Sequence, residues 1–105
     1  MQQLVLLGRA TKDPELLESK KKKKFAKFSL AINEYKKDEK DEKEETAVFY
    51  DVVVLNKSAK SLTDILKKGD LVMLKGKPEC EAYLTKDNQP KAKITMLADE
   101  WQVIK

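Results

Sequence analysis

Histidine is absent from the 105 residues, and cysteine and arginine each occur once, as Cys80 and Arg9. Without histidine the chain cannot assemble the usual Ser-His or Cys-His nucleophilic pairs or the common zinc sites, and one cysteine permits no internal disulfide. Most enzyme classes lose their parts here. A nuclease would need clustered carboxylates for a metal and arginines for the charged phosphoryl transition state, whereas the carboxylates are scattered through loops. No catalytic, metal-binding or cofactor-binding residue is therefore assigned, and a binding protein is expected rather than an enzyme. Equally missing is any apolar run near the ~18 residues a membrane span requires. The N-terminus MQQLVLLG carries no charged leader or small-residue cleavage site, from which a cytoplasmic location is expected, with a mitochondrial protein already stripped of its presequence as the alternative.

What is abundant is lysine. The basic residues number 22 against 18 acidic ones, for a net charge of +4, and all but Arg9 are lysine. Such a surface suits a polyanion partner, and a flexible point charge meets phosphate better than it reads guanine bidentately, so little sequence preference is expected. At this length the chain fits one domain, residues 1–105, burying roughly 65% of its unfolded surface. Cys80 is read as a small, partly buried apolar residue without a redox role.

Residues 4–10 (LVLLGRA) read as a short buried strand, with Asp13-Pro14 turning the chain. KKKKK at 20–24 reads as a solvated loop. FAKFSLAIN at 25–33 alternates, placing Ala26, Phe28, Leu30 and Ile32 on one face and Lys27, Ser29, Ala31 and Asn33 on the other. KKDEKDEKEE at 36–45 is charged throughout, with four lysines and six acids. It is expected to form a long hairpin loop, with a solvated helical turn as the alternative. In TAVFYDVVVL at 46–55, Val48, Tyr50, Val52 and Val54 share one face and Phe49, Asp51, Val53 and Leu55 the other. SAKSLTDILKK at 58–68 has Ala59, Leu62, Ile65 and Leu66 at helical spacing, begins at a serine able to cap and stops at Gly69. Extended segments follow at 70–77, 79–85 and 91–104, the last two joined by KDNQP and the last open to interruption near Ala98-Asp99-Glu100. Short strands around a single helix predict an all-β fold with one helix, a five-stranded Greek-key barrel on the oligonucleotide-binding (OB) plan with a long charged hairpin loop, and a small sandwich competes. In that barrel Gly8 supplies the room or backbone freedom of a strongly bent strand.

Ordered pieces of the chain resemble the bacterial and mitochondrial single-stranded DNA-binding proteins. They are LVLLGRATKDPEL (4–16), KFAKFSLAINE (24–34), YDVVVLNKSAKSL (50–62), LKKGDLVMLKGK (66–77) and ITMLADEWQVI (94–104). The specific part is G-x-x-x-x-D-P-E, then F-S-L-A, then K-K-G-D-x-V-x-x-x-G. The resemblance implies an OB barrel, a homotetramer, and a role coating single strands without sequence specificity in replication, repair and recombination, in a bacterial or phage cytoplasm. It also implies aromatic stacking near Tyr35, Phe49 and Tyr83, and basic contacts at Lys57 and Lys68, while Arg9 on the first strand and Lys27 on the polar face of the second are further candidate nucleic-acid contacts. Stacked aromatics and a cationic path are what binding without base readout requires. Phe28, Tyr50 and Trp101 are expected to pack instead, and Phe25 is left open.

Two departures stand against the resemblance. Glu79, Glu81 and Asp51 occupy places where the family commonly carries basic residues, which predicts weaker or more salt-sensitive binding. The sequence also ends at Lys105, without the disordered linker and acidic tip through which bacterial members recruit replication and repair proteins. A truncated chain, a naturally tailless one, or partners met through the barrel are all compatible with this. The competing function is a tailless primosome-type accessory protein, a dimer acting mainly through protein partners.

Overall fold

The computed structural model describes residues 2–37, 43–55 and 57–104, with only the backbone at 35–37 and 43–45. The elements are β1 (Leu4–Ala10), β2 (Glu15–Glu18), β3 (Lys24–Lys37), β4 (Lys43–Val54), α1 (Ser58–Ile65), β5 (Leu71–Leu84) and β6 (Pro90–Ile104). Hydrogen bonding orders the strands β1-β5-β6-β4-β3-β2, and a further β1–β3 pairing closes five of them into a ring. The β4–β6 pairing is parallel and the rest are antiparallel. This is the expected barrel. The short β2, along β3, lies where only a turn was expected.

Alternation builds the core. Leu6, Ala10, Ala26, Phe28, Leu30, Val52, Val54, Val72, Leu74, Met96 and Ala98 point inward from the strands, and Ala59 and Leu62 of α1 with Leu66 just after it complete the cluster. Tyr50 and Trp101 pack half-buried against it, as expected. Burial of these side chains, worth about 25 cal/mol per Å² of apolar surface, holds the barrel together.

Closure depends on β1. Arg9 pairs with Ala31 and Ala10 with Leu30, and Thr11 donates from its main-chain N–H to the Ser29 carbonyl at 2.9 Å. A Cβ on Gly8 would stand 2.5 Å from the Ala31 carbonyl oxygen and 2.9 Å from Ile32 Cγ1, so it is room that this position needs. The Gly69 N–H donates to the Ala10 carbonyl (2.8 Å) and the Ala10 N–H to the Asp70 carbonyl (3.1 Å). Asp13 Oδ1 accepts from the Lys68 main-chain N–H at 2.8 Å. The D-P-E and K-K-G-D segments thus meet at one junction.

Several expectations are corrected. The helix ends at Ile65 rather than Lys68, because Leu66 turns to extended backbone (φ −80°, ψ 129°) while its N–H still reaches the Leu62 carbonyl. That turn puts Leu66 in the core and leaves Ile65 exposed. Ser58 is not the cap; Lys57 holds that position, with no side-chain cap bond. The segments 70–77 and 79–85 are one strand. The irregularity near Ala98–Glu100 is a bulge: Lys75 faces Glu100 and Gly76 faces Ala98, leaving Asp99 unpaired. Gly76 permits it, since a Cβ there would strike the Leu97 carbonyl. Cys80 is exposed, not partly buried, because the β5–β6 hairpin continues past the barrel. The charged run is partly strand, with Lys36 paired to Glu44 and Lys37 to Lys43; the rest of the expected loop, 38–42, lies outside the described residues. The lysines at 20–23 form a tight turn closed by Ser19 and Lys23, which exchange hydrogen bonds, and Lys24 begins β3.

Gly8→Ala is expected to destabilise the protein by on the order of 1–3 kcal/mol, as overpacking against backbone does, measured as a lowered urea midpoint with an unchanged slope.

Candidate nucleic-acid interface

The outer face of the barrel is read from strand register. Residues directly opposite in adjacent strands share a face, so Arg9, Ala31 and Phe49 form one row across β1, β3 and β4. Phe49 is 64% exposed there, far more than an aromatic ring needs for sheet packing. Tyr83 lies on the β5–β6 arm opposite Lys91 and is 48% exposed. Tyr35 is in β3 opposite Glu45; its side chain lies outside what the structure describes.

The predicted cations divide into places. Lys27 stands exposed on the outer face of β3, between Glu15 and Val53. Arg9 donates from its guanidinium to the Gly69 carbonyl at 2.9 Å, so its first role is to hold the turn after α1, next to Lys68. Lys57, at the start of α1, borders a cleft of about 670 Å³ lined also by Ser19, Lys23, Lys24, Phe25 and Leu55. Sequence reasoning missed this cleft. Its signals were present, since Phe25 is in phase with Lys27 and Leu55 closes the outward row of β4, but only the fold brings them beside the lysine turn. An apolar floor ringed by ammonium groups has the chemistry for a base with its phosphate.

Between the two exposed rings the face is acidic. Asp51 is two residues along β4 from Phe49, Glu81 two along β5 from Tyr83, and Glu79 faces Thr95, itself opposite Asp51. Lys93, the cation in their midst, gives its ammonium to Asp51 Oδ2 at 2.9 Å. That hydrogen bond and the carboxylate's charge raise the Lys93 pKa above the ordinary lysine value, with a smaller push from Glu81. Lys93 is therefore charged but already engaged.

A closed five-stranded barrel with its helix between the third and fourth strands of the ring and aromatic rings on its outer face is an OB-fold domain. The chain belongs to the single-strand binding protein family, whose profile matches residues 1–104. It is 33% identical over 101 residues to single-stranded DNA-binding protein 1 of Streptococcus pyogenes, covering 96% of this chain and 76% of that protein. To single-stranded DNA-binding protein 2 of Staphylococcus aureus it is 34% identical over 100 residues, covering 95% and 70%. Among solved structures it is similar to the Plasmodium falciparum SSB in complex with ssDNA, with TM-score 0.84 and 25% identity over 100% of this chain and 96% of that one.

Asp51→Asn is expected to change stability little, as for other surface ion pairs. By releasing Lys93 toward phosphate it should steepen the slope of log affinity for a single strand against log salt by about 0.7; parallel salt titrations of both proteins check this.

Proposed function

We propose that this protein coats single-stranded DNA without reading a particular sequence, serving replication, repair and recombination in a bacterial or phage cytoplasm. The observation that carries the reading is the pair of solvent-facing rings, Phe49 and Tyr83, on the outer face of a barrel whose named relatives are single-stranded DNA-binding proteins. Bases stack on Phe49, Tyr83 and, by its strand position, Tyr35. Phosphates are met by Lys27, Lys57, Lys68 and the free nitrogens of Arg9, and the cleft between Phe25, Leu55 and Lys57 takes a further nucleotide. The chemistry is binding, not catalysis.

The working assembly is a homotetramer. On the face of β1, β5 and β6 turned away from the core, Val5, Leu7, Met73 and Ile104 are all exposed, with Leu7 opposite Met73 and Leu71 opposite Ile104. A contiguous apolar patch of this kind favours self-association, and closed symmetric oligomers are the common outcome.

Fluorescence titration with oligo-dT and with duplex of equal length tests the binding. Tight preference for oligo-dT over duplex is expected, with Phe49→Ala and Tyr83→Ala each weakening it by ~1–3 kcal/mol, about 5- to 150-fold. Equal or negligible binding to both would favour the accessory role through protein partners, for which the acidic row Asp51, Glu79 and Glu81 is the specific argument. Sedimentation should give a tetrameric mass for the wild type and a smaller species for Leu7→Glu, whose charge would be buried at the apolar contact; a wild-type dimer would favour the accessory role.

A further inference from the structure

Register sorts the outer face into rows of opposite charge. One row runs Asp51, Thr95, Glu79 across β4, β6 and β5. The next row on the same face, two residues along each strand and so about 7 Å away, runs Lys27, Val53, Leu97, Lys77 across β3, β4, β6 and β5. It sets two apolar side chains between two ammonium groups. Lys77 is exposed and makes no salt bridge among the described residues.

Beyond this second row lies the bulge, where Asp99 is the extra residue of β6. Beside it is a cleft of about 590 Å³ lined by Leu55, Lys77, Leu97, Gln2 and Gln3, among others. Leu55 also lines the cleft that holds Lys24 and Lys57, so the two are halves of one groove that meets at this leucine. In the bulge half Asp99 is the one carboxylate among the lining residues, and Lys75 is drawn toward Glu100 at 3.9 Å. Lys77 is left uncommitted. A strand laid over Asp51 and Glu79 sets phosphate against carboxylate. A strand that follows the groove meets ammonium groups at Lys57 and again at Lys77, with Leu55 and Leu97 offering apolar surface to a base. A glutamine amide both donates and accepts, so Gln2 and Gln3 can meet the edge of any base.

We infer that the cleft at the β6 bulge is a further subsite for a nucleotide of a single strand, with Lys77 as its phosphate contact, so that a bound strand passes Leu55 and continues from Lys57 to Lys77. The inference rests on the proposed single-strand binding and adds to it a place that neither the rings nor the lysine turn supplies. It also gives a reason for the charge pattern of β5. Along its outward row Lys75 and Lys77 give way to Glu79 and Glu81 before Tyr83, so the cations of this strand stand at the groove and its carboxylates on the arm.

The test compares the wild type with Lys77→Ala and with Lys60→Ala, an exposed lysine of α1 outside the groove, so that both variants lose the same charge. Titration with a long oligo-dT across a range of salt should show Lys77→Ala with a slope of log affinity against log salt shallower by about 0.7, the counterion release of one phosphate contact, and binding about fivefold weaker at 0.1 M salt. Lys60→Ala should keep the wild-type slope. In parallel, a photoreactive benzoylphenylalanine placed at Gln3 should capture labelled oligo-dT on irradiation, and excess unlabelled oligo-dT should abolish the capture. Both results are required. A Lys77→Ala slope equal to that of Lys60→Ala, or no capture at Gln3, overturns the subsite while leaving single-strand coating intact. Failure of the wild type to bind oligo-dT overturns the coating function and the subsite with it.

Discussion

Two backbone pairings, Arg9 with Ala31 and Ala10 with Leu30, turn an open sheet into a barrel, and the rest of the molecule depends on them. They form because Gly8 presents no Cβ to the Ala31 carbonyl. Around them every local hydrogen bond pulls the same way. Ala10 exchanges bonds with Gly69 and Asp70, Arg9 reaches the Gly69 carbonyl, and Asp13 holds the Lys68 N–H. The two side-chain bonds lie at the surface and each contributes modestly, on the order of 1 kcal/mol, while Ala10 itself is buried. Their effect is geometric, since they bring the end of β1 and the turn after α1 together and so seat Leu66 over the core.

The second constraint is the bulge opposite Gly76. An extra residue in β6 shifts its alternation by one, so that Met96 and Ala98 point inward before it and Trp101 and Val103 after it. Without that shift, one half of β6 would turn its apolar side chains to solvent. Past the barrel, β5 and β6 continue as a two-stranded arm with no core to cover. Its faces differ: Glu79, Glu81, Tyr83, Lys91, Lys93 and Thr95 alternate with Cys80, Ala82, Leu84, Pro90, Ala92 and Ile94. Tyr83 thereby joins the outer face while being free of packing duties, which is what a stacking platform requires.

Where local pattern alone decides structure, the sequence was legible. The strand at Leu4–Ala10 was read with its bounds, and the inward rows through Phe28 and Val52 with their faces, because period-two alternation is a local property that burial merely enforces. The ring of strands followed from their number and the single helix between them. The helix end was misread because Ile65 and Leu66 both suit a helical apolar stripe, and only the pull of the Ala10 junction decides that Leu66 leaves the helix. In the sequence the bulge reads as a break, since one unpaired residue looks the same as an interruption. At the candidate site, the outward face of Phe49 is legible from phase, whereas Tyr83 is pointed to by the resemblance alone. The Arg9 bond to Gly69, 60 residues away, and the cleft joining Phe25 to Leu55 and Lys57 were not legible, because both exist only once distant segments meet.

Net charge turns out to be a poor guide to how such a surface holds a polyanion. Lys93 is committed to Asp51, Lys75 approaches Glu100 at 3.9 Å, and Lys27 stands opposite Glu15, itself 4.0 Å from Lys12. Exposed pairs of this kind add little stability, yet each lowers the positive potential that a phosphate would feel. Among the described residues the densest concentration of lysine is the turn at 20–24, where Lys24 stands opposite Glu18, with Lys57 across the cleft. On the proposed reading phosphate is drawn to that end of the barrel, while between Phe49 and Tyr83 the carboxylates of Asp51, Glu79 and Glu81 offset attraction. Stacking does not depend on potential and is barely screened by salt, so if bases lie on that part of the face as proposed, the aromatic rings would supply most of the grip. The proposed function therefore asks a lysine-rich protein with this arrangement to gain its affinity locally, ring by ring, rather than from its overall charge.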